Sequence, residues 1–350
     1  MAKAKAEGYT RSTTNGGNTK TALRQNAATH AEQPLLFRPL ILTEQPDINS
    51  KVVVLVPSHT ASFIKRQAIR ETWKAAAEKA NTTATILFVI GHSDCLGLQT
   101  DLKSEESKLE NPSVVNAANE RTCEDIEHDF LKLEQDQYHD LLEIPIVEAY
   151  TLLPEKMVQA YHYVISKFDR VEWIAKADDD MFVNVRNLER YLMKFNPKVP
   201  MVIGEIVHDS EIAQEGKWAD LEYIDASGNY VYPDWPRGSA GHVLSRSAVK
   251  YIVDNSEHLY RYQGEDTNIG IWMDGAILKD ERVVFVNAQE IFGSLGKKSC
   301  LDTPFKYGIL GHDFSPNAMF ICQIRSDLNN DVQVVWEDVP IIYSTNYITN

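Results

Sequence analysis

Lys51–Gly91 reads KVVVLVPSHTASFIKRQAIRETWKAAAEKANTTATILFVIG, two short apolar runs on either side of a stretch with helical spacing. The first run, Lys51 to Ser58, is continuous and rich in β-branched residues, the pattern of a strand buried on both faces of a parallel sheet. From about Ser62 to Ala80, the residues Ile64, Ala68, Ile69, Trp73 and Ala76 recur at helical spacing and predict an amphipathic helix. Thr85 to Gly91 predicts a second buried strand. Strand, helix and strand make a βαβ unit, with the two strands parallel and the crossover right-handed.

The alternation continues downstream. Thr100 to Tyr138 is acidic and helical in character, with Asn111 and Pro112 as a break between two helices. Ile144 to Val147 predicts a short strand, and Pro154 opens a helix to about Phe168, since proline in a first turn loses no hydrogen bond. Val171 to Asn184, VEWIAKADDDMFVN, is an apolar strand that delivers three consecutive aspartates. Val199–Val207 and Arg282–Asn287 predict strands, and Ser245–Asn255 and Asp266–Met273 helices. Alternating elements of this kind predict an α/β fold with a mostly parallel central sheet and helices on both faces, one domain from residue 35 to 350. Residues 1–34, rich in Ala, Thr, Asn, Gly and Lys without an apolar period, predict a disordered N-terminal arm.

Composition narrows the function. The chain has 350 residues, 43% hydrophobic, enough for one large core or two modest ones. A formal net charge of -15 argues against a sequence-nonspecific nucleic-acid binder, which needs a basic surface. A phosphate-bearing substrate would need a cation to offset the repulsion. Cys95, Cys123, Cys300 and Cys322 are too few and too far apart for a zinc ribbon or a disulfide scaffold, and they permit disulfides without requiring them. Asn81-Thr82-Thr83 is a sequon of the sort that chance supplies. No window of about 20 apolar residues exists, and the N-terminus has no signal-peptide core.

The triplet Asp178, Asp179, Asp180 is the chemically pointed feature. Three adjacent carboxylates repel one another unless a cation sits among them, and hard divalent ions such as Mg²⁺ and Mn²⁺ take oxygen ligands. Strand ends are where α/β sheets place ligands. An acidic turn with a solvated face accounts for the same three residues.

Four segments together resemble a known family. Arg66-Gln-Ala-Ile-Arg70-Glu-Thr-Trp73 is similar to the RxxxRxTW signature of the β-1,3-glycosyltransferases, and Lys176-Ala-Asp178-Asp179-Asp180-Met-Phe-Val-Asn184 to their KxDDDxFVN motif. Tyr232-Pro-Asp-Trp235-Pro-Arg-Gly238-Ser-Ala-Gly241-His242-Val-Leu-Ser245 resembles their YPxYxxGxGYVLS loop, and Glu265-Asp266-Thr-Asn-Ile-Gly270 their EDVxxG motif. Glu148-Ala-Tyr150-Thr-Leu-Leu-Pro-Glu-Lys156 and His312-Asp-Phe-Ser315-Pro316 are weaker matches to DxYxNLTxK and HxxSP segments. Any one of these motifs is weak; six in order, from Lys51 to Cys322, are specific. Trp235, Arg237, His242 and Thr267 depart from the pattern, and most of Asn-Leu-Thr is lost, which bears on sugar specificity more than on reaction class.

The resemblance implies a GT-A type nucleotide-sugar-binding fold and an inverting transfer of a hexose or N-acetylhexosamine, galactose first among them, from a UDP-sugar to a glycan or glycoprotein acceptor. It implies Mn²⁺ as cofactor, with Mg²⁺ as the alternative, held by Asp178, Asp180 and His312. Asp178 and Asp179 with Arg66 and Arg70 would serve the donor; Tyr232, Trp235, Gly238, Gly241 and Glu265 would line the acceptor or donor sugar; Asp266 would be the general base. It also implies the Golgi lumen, behind a membrane anchor that this sequence does not contain.

Each assignment has a plainer counterpart. Arg66 and Arg70, four apart on one helix face, suit a diphosphate or uracil edge, or an ordinary surface pair tied to Glu71 or Glu78. Trp73 falls on the apolar stripe and reads as a core anchor rather than a stacking platform. Lys176 suits a phosphate or a structural salt bridge. Asp266 suits a base, or a cap of the helix that follows it. His312 can be a ligand or a loop histidine; Gly238 and Gly241 allow close approach of a sugar or just a tight turn; Tyr232 and Trp235 offer sugar-stacking faces or loop packing. The rival functions are a catalytically silent sugar-binding protein of the same fold and a metal-dependent phosphohydrolase.

Overall fold

β1 (Val52–Pro57) is buried along its whole length, as a continuous β-branched run requires. The computed structural model describes residues 50–92, 123–274, 276–278, 281–292, 310–328 and 341–343. The expected N-terminal arm and the break at Asn111 and Pro112 lie outside them. The helix expected after β1 is interrupted: α1 (Phe63–Ile69) passes through a π turn (Arg70–Lys74) into α2 (Ala75–Lys79). The Thr72 hydroxyl donates to the Ala68 carbonyl at 2.5 Å and Thr72 leaves helical geometry (φ -112, ψ -105), the back-bonding that bends helices.

β2 (Ala84–His92) pairs parallel with β1, Val52 opposite Ala84 through Pro57 opposite Val89, which is the expected βαβ unit. α3 (Cys123–Tyr138) leads to β3 (Leu141–Val147), parallel to β2. α4 (Leu153–Lys167), with Pro154 in its first turn, leads to β4 (Trp173–Lys176), parallel to β1 on its other side. There follow β5 (Phe182–Val183), α5 (Val185–Leu192), β6 (Met201–Gly204), β7 (Ile206–Val207), α6 (Leu221–Ser227), β8 (Trp235–Pro236), β9 (His242–Ser245), α7 (Arg246–Asp254) and α8 (Glu265–Met273). The chain continues through β10 (Ile277–Leu278), β11 (Glu281–Arg282), β12 (Val284–Asn287), β13 (Leu310–Gly311), α9 (Pro316–Leu328) and β14 (Ile342–Tyr343).

The central sheet has the order β14-β12-β6-β9-β4-β1-β2-β3. β1, β2, β3, β4, β6 and β12 run one way; β9 and β14 run against them. The expectation of a mostly parallel central sheet is met. β9 had no strand reading in the sequence, where HVLS belongs to a motif loop; only its neighbours β4 and β6 make it a strand.

Alternation along β1 divides the core. Val52, Val54 and Val56 pack with Trp73, Leu188, Tyr191 and Met319 on one face, and Val53 and Leu55 with Met157, Tyr161, Val164, Ile252 and Trp272 on the other. Helices therefore cover both faces, and each fully buried aliphatic side chain stabilises this by about 1.5–3 kcal/mol. The carboxyl ends of β1, β4 and β6 and the start of β9 meet at one edge, with His242 opposite both Lys176 and Gly204.

Candidate active site

The aspartate triplet follows β4 directly. The segment that carries it is held from the far end of the chain, because β13 pairs antiparallel with β5, Gly311 opposite Phe182, and the Phe314 amide donates to the Asp180 carbonyl at 2.8 Å. That pairing brings His312 to the triplet. Nε2 of His312 lies 3.6 Å from Oδ1 of Asp180. Ligand atoms of Asp178, Asp180 and His312 all lie within 4.8 Å of one another. Burial pushes the Asp180 carboxyl above its usual range, His312 works the other way, and Asp178 adds repulsion. Oδ1 of Asp180 is buried and accepts no hydrogen bond among the described residues. An orphaned carboxylate oxygen beside a second carboxylate and an imidazole fits a divalent cation.

Lys176, 3% exposed, joins this group to the next. Its ammonium lies 2.7 Å from Asp178 and 2.7 Å from Glu265. Burial alone would lower its pKa, but Asp178 and Glu265 more than offset that and raise it. Glu265 and Asp266 open α8, whose N-cap is Gly264, so the capping role weighed for Asp266 falls to a neighbouring position. Oδ1 of Asp266 accepts from the Thr267 amide at 2.8 Å, and Oδ2 from the Gly238 amide at 2.7 Å. Burial, then the charge of Glu265, raises the Asp266 pKa; Lys176 and the two amides oppose the rise. A Cβ on Gly238 would stand 2.6 Å from Oδ2 of Asp266. Gly238 thus serves close approach to a carboxylate, and Gly241, at φ 67, serves the turn.

Arg66 and Arg70 are where the structure corrects the sequence most. Arg66 is fully buried; it pairs with Glu134 through Nε (2.8 Å) and Nη2 (2.7 Å) and donates to the carbonyls of His59 and Thr60. Arg70 bonds Glu134 at 2.6 Å and Asp140 at 2.7 and 2.9 Å, with its guanidinium between the rings of Phe88 and Tyr138. Buried carboxylates hold both forks, in place of the expected diphosphate or uracil, and the partners are neither Glu71 nor Glu78. Arg66 touches the site at one remove: it donates to Ser58 Oγ at 3.3 Å, and Ser58 Oγ donates to Asp179 at 2.9 Å. Asp179 also receives Lys65 at 2.7 Å and stands outside the Asp178, Asp180 and His312 group. Lys156 steadies the same turn, donating to the Ser58 carbonyl (2.9 Å) and to Glu148 (2.7 and 2.9 Å). Ser58, Lys65, Glu134 and Asp140 carried no motif signal.

The aromatic expectations divide. Trp73 is a core residue, 1% exposed, its indole donating to the Met181 carbonyl at 3.1 Å. Tyr232 is corrected: it is buried, its hydroxyl donating to Asp220 at 2.8 Å, with its ring against Tyr223 and Tyr262, so it has no open face for a sugar. Trp235 is partly buried and lies against α8, where Gly270 leaves room for it. His242 is buried at the strand edge, and neither ring nitrogen has a hydrogen-bond partner among the described residues. Burial, reinforced by Lys176, pushes its pKa down to about 3, so the ring is neutral.

Residues 119–283 match the galactosyltransferase family model. The chain is 36% identical over 109 residues to the UDP-GalNAc:beta-1,3-N-acetylgalactosaminyltransferase 2 of Xenopus tropicalis, 31% of this chain and 21% of that one. It is 28% identical over 235 residues to the "Probable beta-1,3-galactosyltransferase 3" of Arabidopsis thaliana, 64% of this chain and 49% of that one. These matches make the chain similar to the β-1,3-glycosyltransferases. The human N-acetyllactosaminide beta-1,3-N-acetylglucosaminyltransferase 2 matches at 25% over 231 residues, 63% of this chain and 50% of its own. The match thus spans about half of these last two family members and about a fifth of the first. Among solved structures, the WbbM bifunctional glycosyltransferase aligns with 84% of this chain and 52% of its own at TM-score 0.40 and 12% identity.

Proposed function

We propose that the chain transfers a hexose or N-acetylhexosamine from a UDP-sugar to a hydroxyl of a glycan or glycoprotein, forming a β-1,3 linkage with inversion. One observation carries this: a single buried ammonium, Lys176, ties Asp178 to Glu265 at 2.7 Å each, so the carboxylates suited to a cation stand on one side of it and Glu265, the immediate neighbour of the proposed base Asp266, on the other. Asp178, Asp180 and His312 would hold the ion, Mn²⁺ rather than Mg²⁺ because an imidazole suits the softer metal, and such an ion supplies positive charge where the diphosphate departs. Asp266 takes the proton of the acceptor hydroxyl as its oxygen attacks the anomeric carbon, and its raised proton affinity suits that task. The bond from the anomeric carbon to the diphosphate oxygen breaks on the opposite face, which inverts the configuration.

Galactose is the donor sugar we place first, with N-acetylgalactosamine and N-acetylglucosamine next, following the names of the similar proteins. We place the chain in the Golgi lumen. Cys322 is disulfide-bonded, and such bonds persist in oxidising compartments. A phosphohydrolase with two metal ions would need further clustered ligands, and the described residues contain the one group at Asp178, Asp180 and His312.

The test is transfer from each UDP-sugar with Mn²⁺ and a panel of glycans. EDTA should abolish it and Mn²⁺ restore it. Asp266→Asn should lower turnover about 100-fold or more, the order for loss of a general base, while UDP still binds. Full activity in EDTA, or unchanged turnover in Asp266→Asn, would refute the assignment.

A further inference from the structure

Among the described residues, Tyr150 and Trp218 pair with each other while their rings stay open to solvent. Tyr150 is 52% exposed and Trp218 is 45% exposed. They meet edge to face with centroids 5.6 Å apart, and the Lys217 ammonium sits over both, 4.7 Å from Tyr150 and 4.4 Å from Trp218. This pair is anchored: the Tyr262 hydroxyl donates to the Trp218 carbonyl at 2.8 Å and the Gln263 amide to the Lys217 carbonyl at 2.5 Å. Tyr262 and Gln263 run directly into Gly264, Glu265 and Asp266. Tyr150 comes from the other side, in the turn after β3. Its hydroxyl pKa is raised by burial and then by the charges of Asp266 and Glu265, so it lies within their field.

We propose that Tyr150, Trp218 and Lys217 form an acceptor subsite, a shelf on which a sugar ring of the glycan lies beside Asp266. The proposal rests on the transferase reading above and names the part of the site that reading leaves open. The electron-rich ring faces that hold an ammonium also attract the polarised C–H face of a pyranose, which displaces the flexible lysine from one ring. The acceptor is the occupant rather than the donor, because the shelf is pinned to the residues that present the base. Lys217 would add a partner for a carboxylate on an acidic sugar, so acidic and neutral glycans form the two arms of the test.

The experiment compares the wild-type chain with Trp218→Ala, Tyr150→Ala and Tyr150→Phe on an array of defined neutral and sialylated glycans with UDP and Mn²⁺, then uses the best-bound glycan as acceptor. Both alanine variants should lose about tenfold or more in glycan affinity and raise KM by a similar factor, with Tyr150→Phe close to wild type. The Kd for UDP should stay within about twofold, and unfolding by circular dichroism should report an intact fold. Equal glycan affinity and KM in wild type and both alanine variants overturns the shelf and leaves the transferase reading standing. Shelf-dependent binding without transfer supports the shelf and sinks the transferase reading. A wild-type chain that neither binds nor glycosylates any glycan ends both.

Discussion

Replacing Lys176 by methionine tests whether one ammonium joins the two halves of the site. Methionine keeps the length and most of the volume, so the change is mainly one of charge. The lysine side chain is 3% exposed, and its partners differ: Glu265 is 6% exposed, Asp178 29%. Breaking a buried pair on one side costs about 3–5 kcal/mol, and the more open Asp178 favours the lower figure. At about 2–4 °C per kcal/mol the midpoint should fall by roughly 5–10 °C at pH 8. The pH dependence has a definite sign. Burial raises the Glu265 pKa and Lys176 holds it back, so the substitution raises it further. A carboxylate with a raised folded-state pKa favours the folded chain most below its ordinary value of about 4 and loses that contribution as pH rises through the folded-state value. The destabilisation should therefore be smaller at pH 5 than at pH 8. Thermal unfolding at both pH values, in EDTA, gives the result. An equal loss at the two pH values, or no loss, would refute the bridge.

Gly238→Ala puts a Cβ 2.6 Å from Oδ2 of Asp266. It should lower kcat at least tenfold while the unfolding midpoint moves by a few degrees, and unchanged kcat would show that this contact does not set the base. Arg70→Met should behave as a core lesion: about 3 kcal/mol lost in urea unfolding, since buried Glu134 and Asp140 each lose one cationic partner while Arg66 and Lys74 remain, with KM for the UDP-sugar close to wild type. A tenfold rise in KM with little loss of stability would restore the donor-binding role. His312→Ala should weaken Mn²⁺ binding by calorimetry at least tenfold without unfolding the chain; equal affinity would remove the imidazole from the metal group.

The first βαβ unit was legible because β1 is apolar at every position and Trp73 lies on a helical stripe, signals that need no partner to be read. β9 was not, since four residues acquire a strand identity only between β4 and β6. The arginine pair shows a different limit. Spacing reveals that Arg66 and Arg70 share a helix face, but their partners lie on α3 and at Asp140, far along the chain, and many acidic residues could have filled that place. His312 came from resemblance alone. The pairing of β13 with β5 that delivers it joins two-residue strands, too short to leave a periodic signal. Tyr232 reverses its expectation for the same reason: a motif names a residue type, and only packing against Asp220 and Tyr223 decides whether the ring keeps an open face.

The two buried charge networks differ in how they close, and that difference separates scaffold from chemistry. Around α1, Arg66, Arg70 and Lys74 face Glu134 and Asp140, and each charge has a direct partner. That network carries one positive charge in excess, and Nη1 of Arg70 is left without a hydrogen-bond partner among the described residues. At the strand edge, Asp178, Asp180, Glu265 and Asp266 face one ammonium, Lys176, and one imidazole, His312, because His242 is neutral and Lys65 is matched by Asp179. With all four ionised, the carboxylates outnumber the ammonium by three, and Oδ1 of Asp180 has no hydrogen-bond donor among the described residues. A divalent ion at Asp178, Asp180 and His312 would reduce that excess to one. The remaining charge falls at the far side of Lys176, where Asp266 is partly open to solvent and its proton affinity is raised, the placing that a base needs. Charge imbalance, more than the three aspartates as a motif, is what distinguishes this edge of the sheet from an acidic turn.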